Sequence, residues 1–215
     1  SENPEWRGKV TMILVAAPSR TSVPDYMRLR DTLDQLVGRV NGEHGTIGWM
    51  PVWYLYRSVP FENLVALYDV ADAALLTPLR DGMNLIAKEF VAAKTDGKGA
   101  LILSEMAGAA SELGEAIIVN AYNKQEIVAA IKEALEMPVD EMIERNRIMQ
   151  KRLSRYNVSR WAGDILKALT EIQKTQQEFS VHKLKPRSRK KVVSDYEKAE
   201  KRLFLLDYDG TIVEF

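Results

Sequence analysis

The sequence predicts an α/β protein with a Rossmann-like parallel sheet and helices on both faces of that sheet. Short apolar runs alternate along the chain with longer segments in which apolar residues recur at helical spacing. Several of the short runs are almost continuously apolar, as in strands that are buried on both faces. With 46% hydrophobic and 28% charged residues, the 215-residue chain has the composition of a globular protein.

Five segments are predicted as strands. The first, KVTMILVAA at residues 9–17, is rich in β-branched residues and nearly continuously apolar. The other four lie at residues 45–55, 73–79, 99–104 and 116–120.

Helices are predicted between and after these strands. Residues 22–40 open with Ser22 and Asp25, which form a capping signature, and Pro24 lies near the first turn. Apolar residues then follow at helical spacing. The same periodicity predicts helices at 61–71, 124–137, 139–156 and 158–177, and another helix starts within LRDGMNLIAKEF, residues 79–90.

Composition excludes several classes of function. Thirty basic and thirty acidic residues cancel, so no overall field favours a nucleic acid. The chain has no cysteine, which excludes disulfides and thiolate zinc sites and favours a reducing cytoplasm. Two histidines, His44 and His182, are too few for a histidine-based metal centre. No apolar run reaches the roughly 18 residues of a membrane helix, and we therefore expect a cytoplasmic protein without a nucleic-acid or membrane partner.

The composition divides the chain into three parts. Residues 1–176 carry the α/β pattern, 177–200 are charged and weakly periodic, and 201–215 form an abrupt strand-like stub. The middle part contains a basic run: Lys183, Lys185, Arg187, Arg189, Lys190 and Lys191. Such a run fits an anion-binding patch or a solvated interdomain linker, and the neutral chain favours the linker.

The stub carries two carboxylates at the end of an apolar strand. Asp207 and Asp209 are two residues apart, so an extended chain points them to the same side. Such a pair can hold Mg²⁺ while one carboxylate acts as nucleophile and the other as acid/base. A hydrophilic hairpin turn and the D-x-D metal motif of some glycosyltransferases are the alternatives.

The polar loop within LRDGMNLIAKEF follows a predicted strand and opens a helix. Ligands of open α/β sheets bind at this edge, and a helix start offers free N–H groups to phosphate. We expect Met83, Asn84, Leu85 and Ile86 in the first turn with free amides, and Gly82 allows close backbone approach. Glu89 lies one turn further. The alternative is Asp81 as the N-cap of a core helix.

Two other features have open interpretations. Residues 104–114, SEMAGAASELG, are rich in small residues, which allow close backbone packing around a ligand or tight packing of a helix on the sheet. Trp49, Trp53 and Tyr54 fit a sugar-stacking platform or, as is more common for aromatic residues, the core.

Taken together, four motifs resemble the trehalose-6-phosphate synthases, which are retaining glucosyltransferases of two Rossmann-like domains (the GT-B fold). The motifs are AAPSR (16–20), GRVNGEHG (38–45), LYDVADAALLTPLRDGMNLIAKEFVAAK (67–94) and LILSEMAGAASELGEAIIVNAYN (101–123). The stub resembles the first motif of haloacid-dehalogenase-type (HAD-like) phosphatases. Some synthases carry such a trehalose-6-phosphate phosphatase domain in the same chain.

The resemblance implies roles for individual residues. Arg80, the Gly82–Leu85 backbone and Ile86 would hold the diphosphate and glucose of UDP-glucose, and Asp81 would contact the glucose hydroxyls. Glu89 would bind the ribose, and the backbone near Val59 would cradle the uracil. Arg20 would reach the phosphate of glucose 6-phosphate. The glucosyltransferase would need no cofactor, whereas Asp207 and Asp209 would bind Mg²⁺ in a phosphatase domain.

The same resemblance implies that the chain is the C-terminal, donor-binding half of the synthase. Its sheet would lack its first strand, and the N-terminal domain would be a missing partner. We therefore expect no synthase or phosphatase activity from the chain alone. Three alternatives stay open: a non-catalytic regulator of the same family, another nucleotide-sugar transferase, and an ADP- or GDP-linked donor. An oligomer is compatible with the sequence.

Overall fold

The computed structural model describes residues 3–18, 23–178, 185–203 and 205. It divides into two compact units, Ser1–Tyr156 and Asn157–Phe215. Within its described residues no helix is long and apolar enough to cross a membrane.

Five parallel strands of the first unit confirm the predicted α/β class. They are β1 (Met12–Val15), β2 (Val52–Leu55), β3 (Ala73–Leu76), β4 (Ala100–Ser104) and β5 (Ile117–Val119). β1 pairs with β2, while β3, β4 and β5 form a second ladder in that order, with every pair parallel. The sequence predicts one sheet, whereas the described strands form two ladders.

Five helices of the first unit follow the predicted order. They are α1 (Pro24–His44), α2 (Phe61–Val70), α3 (Leu85–Ala93), α4 (Lys124–Glu136) and α5 (Val139–Arg155). The predicted cap of α1 is wrong, because its N-cap is Val23, which forms no side-chain cap bond. Asp25 instead pairs with Arg28 one turn along the helix.

Strand β4 shows why a continuously apolar run predicts a doubly covered strand. Leu101 and Leu103 belong to one core cluster with Phe90 of α3, whereas Ala100 and Ile102 belong to a second cluster with residues of α4. Because side chains alternate along a strand, these two clusters lie on opposite faces of the sheet. Helices therefore cover both faces of the β3–β4–β5 ladder, as predicted.

The β1–β2 ladder is less buried. Met12 and Ile13 of β1 and Trp53 of β2 are 43%, 42% and 56% exposed. The prediction of Trp53 as a core aromatic is therefore wrong. Trp49 and Tyr54 are half-buried, and the Trp49 indole N–H donates to the carbonyl of Val10.

The second unit contains α6 (Val158–Glu178) and α7 (Pro186–Lys198). α6 confirms the predicted helix at 158–177, and its apolar residues Trp161, Leu166 and Leu169 are exposed. α7 lies within the segment predicted as a linker. Its charged residues are good helix formers, and Pro186 suits a first turn, so local propensity forms a helix without a buried face.

Candidate functional site

The loop between β3 and α3 is organised by the Asp81 carboxylate. Asp81 Oδ1 accepts hydrogen bonds from the backbone N–H groups of Met83 and Asn84, both at 3.0 Å. Oδ2 accepts a third from the side-chain amide of Asn84 at 3.1 Å. Aspartate holds turns in this way because its short side chain reaches the amides two and three residues further on. The loop is therefore shaped by its own sequence.

Asn84, and not Asp81, is the N-cap of α3. Its side-chain oxygen accepts from the N–H of Ala87 at 2.9 Å, and its φ of 74° is left-handed. Asparagine tolerates this conformation better than most residues. The alternative with Asp81 as the cap is thus wrong, and so is the expectation that the amides of Met83 and Asn84 are free, because both donate to Asp81.

A second loop, residues 104–114 after β4, is fastened to the first. Asp81 N–H donates to the carbonyl of Met106 at 3.2 Å, and its carbonyl accepts from Gly108 N–H at 3.0 Å. Ala109 N–H donates to the carbonyl of Met83 at 2.6 Å. A Cβ at Gly108 would overlap the carbonyl of Gly82. The small residues of this segment therefore pack against the Asp81 loop.

The start of α3 remains open. In the described part of the chain, the amides of Gly82, Leu85 and Ile86 have no hydrogen-bond acceptor. Arg80 is exposed, and its guanidinium forms neither a hydrogen bond nor an ion pair with another described residue. Free amides, the positive end of a helix dipole and an unpaired cation together favour an anionic ligand.

Glu89 lies one turn into α3. Its carboxylate oxygen Oε2 accepts a hydrogen bond from the hydroxyl of Tyr68 on α2 at 3.2 Å. Burial, followed by the adjacent Glu89 carboxylate, raises the pKa of Tyr68 to about 12. The hydroxyl therefore keeps its proton and remains a donor at physiological pH. On the preceding turn Leu85 and Ile86 are 60% and 47% exposed, so this stretch of α3 faces outward.

Ion pairs connect the loop after β4 to helices α3 and α5. Lys88 of α3 binds Glu112 at 2.8 and 2.9 Å. Arg152 of α5 binds both oxygens of Glu115, at 2.5 and 2.8 Å, and also donates to the carbonyl of Glu112. The Arg152 hydrogen bonds lower the pKa of Glu115. These pairs tie the segment after β4 to helices α3 and α5.

The structure brings together only some of the predicted site residues. Arg80, Asp81, Gly82, Met83, Asn84, Leu85, Ile86 and Glu89 form one loop and helix start, and Val59 lies on the separate connection between β2 and α2. Arg20, Asp207 and Asp209 lie outside the described residues. Of the residues described, no three or more acidic or histidine side chains gather into a group that could hold a metal ion.

Sequence reasoning missed two residues of the site, Tyr68 and Gly108. A phenolic hydroxyl on the helix that precedes β3 was the available signal for Tyr68. A glycine next to three alanines and a serine was the signal for Gly108, but its contact with Gly82 depends on the pairing of β3 with β4.

This fold and site define a parallel α/β domain with an open helix start at the carboxyl edge of its sheet, the edge at which such domains bind ligands. The model of glycosyltransferase family 20 matches residues 1–171, and the chain belongs to this family. A bifunctional trehalose-6-phosphate synthase/phosphatase from Thermoproteus tenax is 49% identical over 214 residues, which is 99% of this chain and 29% of that protein. An α,α-trehalose-phosphate synthase (UDP-forming) from Dictyostelium discoideum is 39% identical over 213 residues, again 99% and 29%.

Solved structures agree with this assignment. An E. coli structure with bound UDP-2-fluoro glucose has a TM-score of 0.75 at 39% identity, covering 77% of this chain and 37% of the other. A Burkholderia xenovorans α,α-trehalose-phosphate synthase in complex with glucose-6-phosphate has a TM-score of 0.76 at 37% identity, covering 79% and 37%. The chain therefore spans less than half the length of these relatives.

Proposed function

We propose that this chain is the donor-binding part of a trehalose-6-phosphate synthase that transfers glucose from UDP-glucose to glucose 6-phosphate with retention. The open first turn of α3, next to the unpaired Arg80, is the observation that carries the proposal. Membership of glycosyltransferase family 20 supports it, as do relatives solved with UDP-2-fluoro glucose and with glucose-6-phosphate.

The proposed roles follow the available hydrogen-bonding groups. The amides of Leu85 and Ile86 and the Arg80 guanidinium would bind the diphosphate. Glu89 would accept hydrogen bonds from the ribose hydroxyls, because its second oxygen is not used by Tyr68. Asp81 would use its remaining lone pairs for the glucose hydroxyls, and its bonds to Met83 and Asn84 hold it in place.

Catalysis by these groups would consist of positioning and electrostatic stabilisation. As the bond from glucose to UDP breaks, negative charge develops on the departing diphosphate beside the amides of α3. Fixed N–H donors and a guanidinium stabilise this charge without reorganising. No cofactor is proposed for this step. Arg20 would bind the acceptor phosphate and Val59 would lie at the uracil.

The C-terminal residues support a second, linked activity. The bifunctional relative from Thermoproteus tenax aligns with 99% of the chain, and the alignment therefore reaches into the Asp207 and Asp209 motif. We propose that this motif opens a HAD-like phosphatase domain, in which the two carboxylates would hold Mg²⁺. The cytoplasmic location stays a prediction from the absence of cysteine.

Calorimetry with UDP-glucose, UDP and glucose 6-phosphate, titrated separately into the purified chain, tests the donor site. We expect UDP to bind and Glu89→Ala to weaken this binding by about tenfold or more, as for the loss of a hydrogen bond to a charged group. A folded chain that binds neither UDP nor UDP-glucose would contradict the proposal.

A turnover measurement distinguishes an enzyme from a non-catalytic regulator of the same family. In a protein of the relatives' length, release of UDP from UDP-glucose and glucose 6-phosphate supports the enzyme. Binding of both ligands with no UDP release, under conditions in which a known synthase turns over, supports a regulator.

A further inference from the structure

Tyr68 and Glu89 form a side-chain pair between α2 and α3 that no predicted role accounts for. Resting on the proposed donor site, we infer that Tyr68 is a positioning residue. It orients the Glu89 carboxylate toward the ribose hydroxyls and thereby sets the preference of the site for a ribonucleotide over a deoxynucleotide.

The ring of Tyr68 is held in a fixed place. It packs edge-on against Phe90, with ring centroids 6.4 Å apart and planes at 88°. Phe90 is fully buried and belongs to the core cluster between α3 and β4. Because the ring is anchored in this way, its hydroxyl reaches one position on α3, namely the Oε2 atom of Glu89 at 3.2 Å.

The Glu89 carboxylate is left with unused acceptor capacity. It is half-buried, and among the residues that the structure describes it has no cationic partner. Its one hydrogen-bond donor there is the neutral Tyr68 hydroxyl. An ionised carboxylate offers about four lone-pair sites, so most of them remain for a ligand that carries hydroxyl donors.

Orientation matters because a glutamate side chain is flexible. Two neighbouring hydroxyls are recognised together only when both carboxylate oxygens are presented at one angle. Freezing a free glutamate at the moment of binding costs rotamer entropy, whereas Tyr68 removes part of this freedom beforehand. The hydroxyl also stays a donor near neutral pH, because burial and the adjacent Glu89 carboxylate raise the pKa of Tyr68 to about 12.

The test compares UDP with 2′,3′-dideoxy-UDP by calorimetry on the purified chain. For the wild type we expect UDP to bind at least about tenfold more tightly, through hydrogen bonds to a charged group. Tyr68→Phe keeps the ring and removes the hydroxyl. We expect it to weaken UDP binding roughly three- to tenfold with little change for the dideoxy nucleotide, so that the ratio of the two affinities narrows.

Two further variants separate orientation from a structural effect. In a Glu89→Ala background, Tyr68→Phe is expected to leave the affinity ratio unchanged, because Tyr68 acts through the Glu89 side chain. Tyr196→Phe, the same change in the second unit, is expected to leave both affinities as in the wild type.

Each result has a definite meaning. If Tyr68→Phe leaves the ratio of the UDP and dideoxy-UDP affinities unchanged, the inference is overturned, whereas the proposed donor site is not affected. A wild-type chain that binds neither nucleotide overturns the donor site and the inference together.

Discussion

Gly108 lies so close to Gly82 that a Cβ at residue 108 would overlap the carbonyl oxygen of residue 82. These glycines belong to the loops that follow β4 and β3, which are neighbouring strands. Three backbone hydrogen bonds, two at Asp81 and one at Met83, join the same loops. The conformation of the loop before α3 is therefore fixed by the loop after β4 as well as by the Asp81 side chain.

Gly108→Ala is expected to destabilise the chain and to displace the Asp81 loop. Overpacking against backbone costs about 1–3 kcal/mol, and a displaced loop no longer presents its amides to UDP. Urea unfolding and calorimetry with UDP measure the two effects. Gly114→Ala is the matched control, since a Cβ there meets nothing within 4 Å. Equal stability of the two variants would show that the loops separate easily.

Gly82→Ala is expected to leave the stability of the chain nearly unchanged and to weaken the binding of UDP-glucose. A Cβ at Gly82 meets nothing within 4 Å, and its φ is not left-handed, so the free energy of unfolding should change by less than about 0.5 kcal/mol. If a diphosphate or sugar lies against this backbone, the added methyl group occupies its space and weakens UDP-glucose binding about tenfold or more, or about 1.4 kcal/mol. Unchanged affinity in a folded variant would show that the ligand does not approach Gly82.

Asn84→Ala should reduce stability for two separate reasons. The loss of the cap to Ala87 costs about 1 kcal/mol, and a left-handed alanine costs about 1–2 kcal/mol more. Asn84→Gly loses the cap but accepts the φ of 74° without steric cost. Urea unfolding should therefore rank the wild type above Asn84→Gly and Asn84→Ala last. A glycine variant less stable than the alanine variant would show that conformation at this position matters little.

The pattern of apolar residues predicted the fold well where it reflects burial. Strand β4 is apolar at every position except Ser104 because both of its faces are covered, and its type and place were evident from the sequence. Trp53 is the opposite case. Its strand lies in the less buried β1–β2 ladder, and nothing in a single aromatic residue distinguishes an exposed face from a core face.

The candidate site was predictable in place but not in detail. The position of the loop after β3 follows from the α/β pattern, and the residues predicted there lie together on one loop and helix start, while their roles stay a prediction. Which residue of the loop caps α3 was not predictable, because Asp81 and Asn84 can both cap a helix. Only the left-handed φ of Asn84 and the hydrogen bonds to Asp81 decide which does so. The contact of Tyr68 with Glu89 joins two helices and has no local signature.

The ion pair of Glu115 and Arg152 gives a prediction for pH. The guanidinium holds the pKa of the Glu115 carboxyl below its ordinary value near 4.5. A carboxyl whose pKa is lowered by folding stabilises the folded state above the unfolded pKa, and this contribution is lost as the pH falls.

Glu115→Gln should therefore lower the free energy of unfolding by roughly 1 kcal/mol at pH 7, a modest value because Arg152 is partly exposed. The difference from the wild type should shrink as the pH falls below about 4.5 and disappear once Glu115 is protonated in both states. Thermal unfolding across this range measures it. Glu144→Gln is the control, because the pair of Glu144 with Arg147 is more exposed and should contribute less. A difference that grows on acidification would show that another group controls the acid stability.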